Sequence, residues 1–149
     1  MFVSFRGEIA QQFKINRMLI EEGDIKPAVF SLSVFNTPPA LAAIALNLSA
    51  GYSAVYPAED RFDLGFLAAA SPILCGDAEE TVLVYADELA PEEYGRLCPS
   101  CNEPFAFAAL LSRGPRGPAV GAGAAALESP RAFLKHLYTA SLGFACDKG

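Results

Sequence analysis

A mixed α/β fold is what this sequence predicts, on three observations. Apolar runs of strand length alternate along the chain with longer segments of helical period. Two of those runs, residues 81–85 (TVLVY) and 105–111 (FAFAALL), are almost continuously apolar, as strands covered on both faces are. A third segment, residues 62–75, is apolar nearly all round and too long for a strand, so it reads as a central helix buried on all sides.

The elements follow in order. Residues 2–5 fit a short opening strand. Residues 8–22 carry Ile9, Phe13, Ile15, Leu19 and Ile20 as a wide apolar stripe, a helix ended by Gly23. Pro27 restarts the chain in extended form, and residues 28–35 (AVFSLSVF) alternate small or polar with large apolar side chains, which predicts a strand. Thr37 is placed as the N-cap, with Pro38 and Pro39 in the first turn, of a helix running to Leu48 and stopped by Gly51. Residues 52–56 (YSAVY) read as the next strand, joined by a tight turn at Pro57-Ala58-Glu59-Asp60 to the helix over 62–75. A strand at 81–85, a helix over 91–97 and a strand at 105–111 complete the body. Two Gly-Pro pairs within Arg113-Gly114-Pro115-Arg116-Gly117-Pro118 then forbid any regular element. The division expected is therefore a body over 1–113, a turn at 114–118, and a tail over 119–149 packing on the same domain. That tail holds a strand within 119–127 and a helix capped by Ser129, with Pro130 in its first turn.

Composition bounds the function. The chain has 149 residues, 52% hydrophobic and 19% charged, which suits a single globular domain. Eleven Lys and Arg stand against 17 Asp and Glu, a net charge of −6, and without a basic cluster this argues against nucleic acid or an anionic membrane as partner. The longest uncharged apolar stretch, residues 64–76, falls well short of the roughly 20 residues of a membrane span, and residues 1–6 do not lead into the apolar core of a signal peptide. A cytoplasmic protein is expected.

Cys75, Cys98, Cys101 and Cys146 are too few and too scattered for a disulfide framework in a chain of this size, which favours a reducing compartment. Cys98-Pro99-Ser100-Cys101 has the spacing of a thiolate pair that grips zinc or cycles between thiol and disulfide. Zinc would need further ligands, from Cys146 or another chain. A redox pair would sit where a strand opens a helix, whereas this one follows a predicted helix and precedes a strand. Two free loop thiols are the simplest reading.

Three segments in register carry a family resemblance. Phe30-Ser31-Leu32-Ser33-Val34-Phe35-Asn36, then Glu59-Asp60-Arg61-Phe62 with Leu64-Gly65, then Val82-Leu83-Val84-Tyr85-Ala86-Asp87-Glu88 followed by Pro91-Glu92-Glu93-Tyr94 resemble the FSLSVHN, EDxF and LLVYYDE…PEEY segments of ketoacyl-synthase-like proteins of the thiolase fold, in particular the chain-length factors. The similarity runs from Met1 to Ser112 and thereafter touches only the terminal helix. Phe35 stands where the family usually has His, and the chain opens at what resembles the family's second strand, as a truncated or a degenerate member would.

The resemblance implies a thiolase-like fold in which two similar halves enclose a layer of buried central helices, and this chain carries one half. It also implies that active relatives place a nucleophilic cysteine at the strand-to-helix elbow, where helix amides lower its pKa and bind an oxyanion. Here Glu59 takes that position with Asp60 beside it. Glu59 reads either as an acid stabilising a helix N-terminus, or as the mark of an inactivated elbow, or as a general acid/base. The relatives' catalytic histidines and lysine belong to a half this chain lacks, and His136 reads as a surface or packing histidine. Asp87-Glu88 reads as a solvated strand end rather than a catalytic couple, and Phe62 and Phe66 as core rather than tunnel lining.

A non-catalytic chain-length-factor-like protein follows as the leading expectation. It would pair with a full-length ketoacyl synthase on chains borne by an acyl carrier protein in fatty-acid or polyene-like polyketide synthesis, as a homo- or hetero-oligomer, with no cofactor. A small acyl-transferring or decarboxylating enzyme using Glu59 or a cysteine is one alternative. A stand-alone binding module with a metal at Cys98 and Cys101 is the other. In either oligomer or monomer the exposed side of the helix over 62–75 needs a cover, from a second chain or from the tail.

Overall fold

The computed structural model of the chain describes residues 1–58, 60–94, 102–114, 118–121 and 124–146, the last six as backbone. Its strands are β1 (Phe2–Val3), β2 (Ala54–Val55), β3 (Glu80–Asp87) and β4 (Phe105–Ser112), and its α-helices α1 (Ile9–Glu22), α2 (Pro27–Ser31), α3 (Thr37–Ala45), α4 (Phe62–Cys75) and α5 (Pro130–Cys146). The strands form one mixed sheet in the order β2-β1-β3-β4. β1 and β2 are parallel, Phe2 opposite Ala54 and Val3 opposite Val55, which requires a crossover, here supplied by the three helices between them.

Residue contacts gather into two compact units. One comprises Met1, Pro57–Tyr85 and Phe107–Gly149, the other Phe2–Tyr56 and Ala86–Ala106. The core of the first is built on Phe62, Ala69, Ile73, Leu83, Tyr85, Leu127 and Phe133, and that of the second on Phe2, Val3, Ile15 and Ala90 with the buried hydroxyls of Ser4 and Ser33.

α1 follows its predicted bounds and stops at Gly23, whose amide reaches the Leu19 carbonyl. α4 occupies 62–75 as expected, but it is not buried all round. Phe62, Gly65, Ala69 and Ile73 make one buried stripe, while Leu64, Leu67 and Leu74 stand in water. Spacings of three and four residues put the first set on one face, and composition alone does not say that only one face is covered. β4 likewise alternates: Ala106, Ala108 and Leu110 are exposed between half-buried neighbours, so this apolar run is covered on one face, not two.

Four secondary-structure expectations are corrected. Residues 28–35 form no strand. Pro27 sits in the first turn of α2, where its missing N–H costs nothing, and the serines that gave the alternation bond backwards, Ser31 Oγ to the Ala28 carbonyl (2.9 Å) and Ser33 Oγ to the Phe30 carbonyl (2.8 Å), holding helical turns. Thr37 is not the cap of α3 but its first residue, and its hydroxyl donates to the Ser31 carbonyl across that turn. In the tail, no strand occurs among the described residues of 119–127; Ala125–Leu127 is a 3₁₀ turn. Gly and Ala dominate this stretch, and neither favours a strand. The helix expected over 91–97 is a 3₁₀ turn at Glu92–Tyr94 as far as the described residues extend.

Candidate functional site

The turn into α4 holds the carboxylates that the resemblance sets at the nucleophile position of active relatives. Glu59 lies outside the described residues. Asp60 is exposed on the turn, and the Arg61 amide closes the turn onto the Ala58 carbonyl at 2.9 Å. Arg61 is the N-cap residue yet caps nothing with its side chain. Instead its guanidinium makes a two-pronged pair with Asp63, Nε to Oδ1 and Nη2 to Oδ2, each 2.9 Å. This bonding holds the Asp63 carboxyl below its ordinary range and raises the guanidinium correspondingly. Asp63 also falls in the first turn, where the helix dipole favours an anion.

Beneath this turn, Phe62 is fully buried in a nest of rings. It meets Tyr85 edge-on (centroids 5.9 Å apart) and Phe107 (6.2 Å), and lies 5.6 Å from Phe133 of α5. Phe107 stacks on Tyr85 and contacts Phe133 in turn, and Phe66, one helical turn on, also reaches Phe133. Phe62 is a packing residue, whereas Phe66, half-buried, both touches Phe133 and lines the neighbouring groove. Alongside, a groove of about 590 Å³ runs between α4, the end of β4 and the residues leading into α5. Leu67, Leu74, Leu110 and Leu137 line it, with Asp63 and Arg113 among its few charged groups. Arg113 is engaged, its Nη2 donating to the Ile73 and Leu74 carbonyls at 2.9 Å, where it closes the C-terminal end of α4. The groove can therefore hold an apolar chain, and among the described residues no thiol or imidazole lines it.

In the other unit, Asp87 is half-buried and Glu88 exposed, and the two carboxylates are engaged by different partners. Asp87 Oδ1 accepts from Ser4 Oγ (2.6 Å) and from the Phe5 and Arg6 amides (3.0 and 3.1 Å), and Ser4 Oγ accepts from the Gly7 amide (2.8 Å). Arg6 Nη1 donates to the Glu88 carbonyl (3.0 Å) and to Asn102 Oδ1 (3.1 Å), and Asn102 clasps both polar backbone atoms of Ala90. Glu88 reaches the Ala10 amide in the first turn of α1 with Oε1 (3.3 Å), serving as a remote cap where Glu8, the N-cap residue, makes no such bond. Glu8 is raised by burial and then by the Glu88 charge. Tyr56 donates its hydroxyl to the Phe35 carbonyl while their rings lie 4.7 Å apart, and burial followed by the Glu8 charge pushes its phenol up to about 12. Phe35 thus works as a ring against Tyr56 and Gly7.

The remaining candidates are dispersed. Cys75 is a free, exposed thiol at the far end of α4. Cys98 and Cys101 lie outside the described residues. His136, on α5, is half-buried, and its Nε2 is buried without a hydrogen-bond partner among the described residues. Among the described residues no group of three or more His, Cys, Asp or Glu side chains is arranged to hold a metal ion, and no helix is long and apolar enough to cross a membrane.

The profile of the family described as beta-ketoacyl synthase, N-terminal domain, matches residues 1–135. The chain belongs to this family. Among solved structures it is similar to a chain of the ketosynthase ApeO in complex with its chain length factor ApeC from Xenorhabdus doucetiae, at a TM-score of 0.69 and 26% identity over 76% of this chain. That likeness establishes the thiolase-like α/β fold for this ketoacyl-synthase domain. The domain spans about half, 49%, of the chain it matches. Comparison with curated proteins gives no match.

Proposed function

We propose that this ketoacyl-synthase domain is non-catalytic and acts as a chain-length-factor-type partner. It pairs with an active synthase working on acyl chains borne by a carrier protein, in cytoplasmic fatty-acid or polyene-like polyketide synthesis. The observation that carries the reading is the chemistry of the turn into α4. A nucleophilic thiol there would gain from the helix amides, but the segment supplies Glu59, Asp60 and Arg61. The first cysteine in the sequence, Cys75, closes the helix that Phe62 opens, which puts it roughly 20 Å away along the axis. A carboxylate at the turn could form only a labile anhydride with an acyl group. The apolar groove beside α4 supports a role in holding an alkyl chain, and the solved relative, a ketosynthase with its chain length factor, supports a synthase as the partner.

Purification of the tagged chain from its native host, with mass-spectrometric identification of what stays bound, tests this. A ketoacyl synthase at near-equal amount is expected, and recovery of the chain alone overturns the pairing. Incubation with acyl thioesters should leave the intact mass unchanged. A covalent adduct lost in Glu59→Ala would replace the non-catalytic reading with an acyl-transferring enzyme.

A further inference from the structure

Arg113 stands at one end of the apolar groove and Asp63 at the other. Between them the groove follows one face of α4 from Asp63 to Leu74, past Phe66, Leu67 and Ala70, a span of about 16 Å along the helix. Spread over that length, its volume of about 590 Å³ leaves a channel roughly 6–7 Å across, narrower than the ~10 Å of a helix with its side chains. The occupant that fits is a thin chain. At the Arg113 end the two walls, the last turn of α4 and the end of β4, come from distant parts of the sequence. Arg113 follows β4 directly, and its Nη2 donates to the Ile73 and Leu74 carbonyls, each at 2.9 Å, across 40 and 39 residues. That turn needs the donor. It contains Pro72, whose ring has no N–H to give, and the last carbonyls of a helix have no partner within it. The helix dipole favours a cation there, and Asp77, Glu79 and Glu80, which line a second hollow with Arg113, favour it further.

We infer that Arg113 is a positioning residue for this groove and sets the length of alkyl chain the groove takes. It acts through the walls: by tying the end of β4 to the end of α4, it keeps the section beside Ile73 and Leu74 closed enough to shield a chain from water. Without the tie that section opens, and the usable groove ends nearer Asp63. The inference rests on the reading of the groove as an alkyl-chain site, and it is independent of which synthase is the partner.

Binding of straight-chain alcohols from octanol to tetradecanol to the full chain, read by displacement of a fluorescent apolar dye, tests it. Their neutral head keeps the charge of the guanidinium out of the comparison. For the wild type, affinity should rise about two- to fourfold per methylene and level off once the groove is filled. Arg113→Ala should level off at a shorter chain and bind the longest alcohols at least about tenfold more weakly. A general loss of stability would instead weaken all lengths alike and leave the plateau in place. Because one nitrogen serves both carbonyls, an ammonium can replace it, and Arg113→Lys should restore the wild-type plateau. Should Arg113→Ala lose its far-ultraviolet circular dichroism, Arg113→Met, which keeps the stem without a donor, takes its place. An unmoved plateau in the variant that lacks the donor, or one moved equally in Arg113→Lys, overturns the inference and leaves the alkyl-chain reading standing. A wild type that binds none of the alcohols overturns both.

Discussion

Asp87 and Ser4 lie 83 residues apart in sequence and 2.6 Å apart in space, and through them the end of β3 holds the turn that leads from β1 into α1. The carboxylate takes three donors at one oxygen, and the hydroxyl takes the Gly7 amide. Asp87→Ala should cost about 2–3 kcal/mol in denaturant unfolding, because hydrogen bonds to a charged group are the strong ones and two amides lose their acceptor. Ser4→Ala should cost about 1–2 kcal/mol by the same reasoning. Either variant at wild-type stability would show that the clasp holds nothing.

Glu8 gives a pH dependence with a definite sign. Burial, then Glu88, raises its pKa above the ordinary 4.5, so the folded chain binds that proton more tightly than the unfolded one. The resulting stabilisation is complete below the unfolded pKa and is lost as pH rises through the folded one. Glu8→Gln should therefore melt higher than the wild type at neutral pH, and the difference should vanish in acid below the ordinary value. Equal melting temperatures at all pH values would refute this.

Two glycines with positive φ should respond unequally to alanine. At Gly76 (φ +86°) a Cβ meets nothing within 4 Å, so Gly76→Ala should cost only the penalty of a left-handed backbone, about 1–2 kcal/mol. At Gly7 (φ +57°) it meets the Phe35 ring at 3.0 Å and the Tyr56 ring at 3.2 Å. Gly7→Ala should therefore be clearly the worse of the two in chemical denaturation, and equal costs would mean that the two rings yield freely.

Phe133→Ala removes the ring that Phe62, Phe66 and Phe107 share. A loss of about 3–5 kcal/mol is expected, in line with large aromatic truncations in cores, and it should appear as a lower denaturation midpoint. A loss under about 1 kcal/mol would place α5 outside the core.

Much of the fold was legible. The bounds of α4 follow from an apolar run too long for a strand, and the start of α5 from Ser129-Pro130, where Ser129 Oγ accepts the Ala132 amide at 3.1 Å. Residues 28–35 misled because period-two alternation is also what serines give when they bond back three residues along a helical turn. At the candidate site, the carboxylates before α4 were visible, as was the absence of any nearby thiol. The Asp87 clasp and the Glu88 cap were not, because their partners are backbone amides some 80 residues distant that have no signature in side-chain spacing. The groove was hidden for a related reason: it exists only where β4 and the approach to α5 meet one side of α4.

The ring nest around Phe62 also orders events during synthesis. Phe62, Tyr85 and Phe107 leave the ribosome before Phe133, which follows Phe107 by 26 residues. At about 5–20 residues per second, the three earlier rings wait on the order of one to five seconds for the fourth. In that interval the nascent chain shows an aromatic surface it later hides, and translation that stalls between these positions creates a client for chaperones.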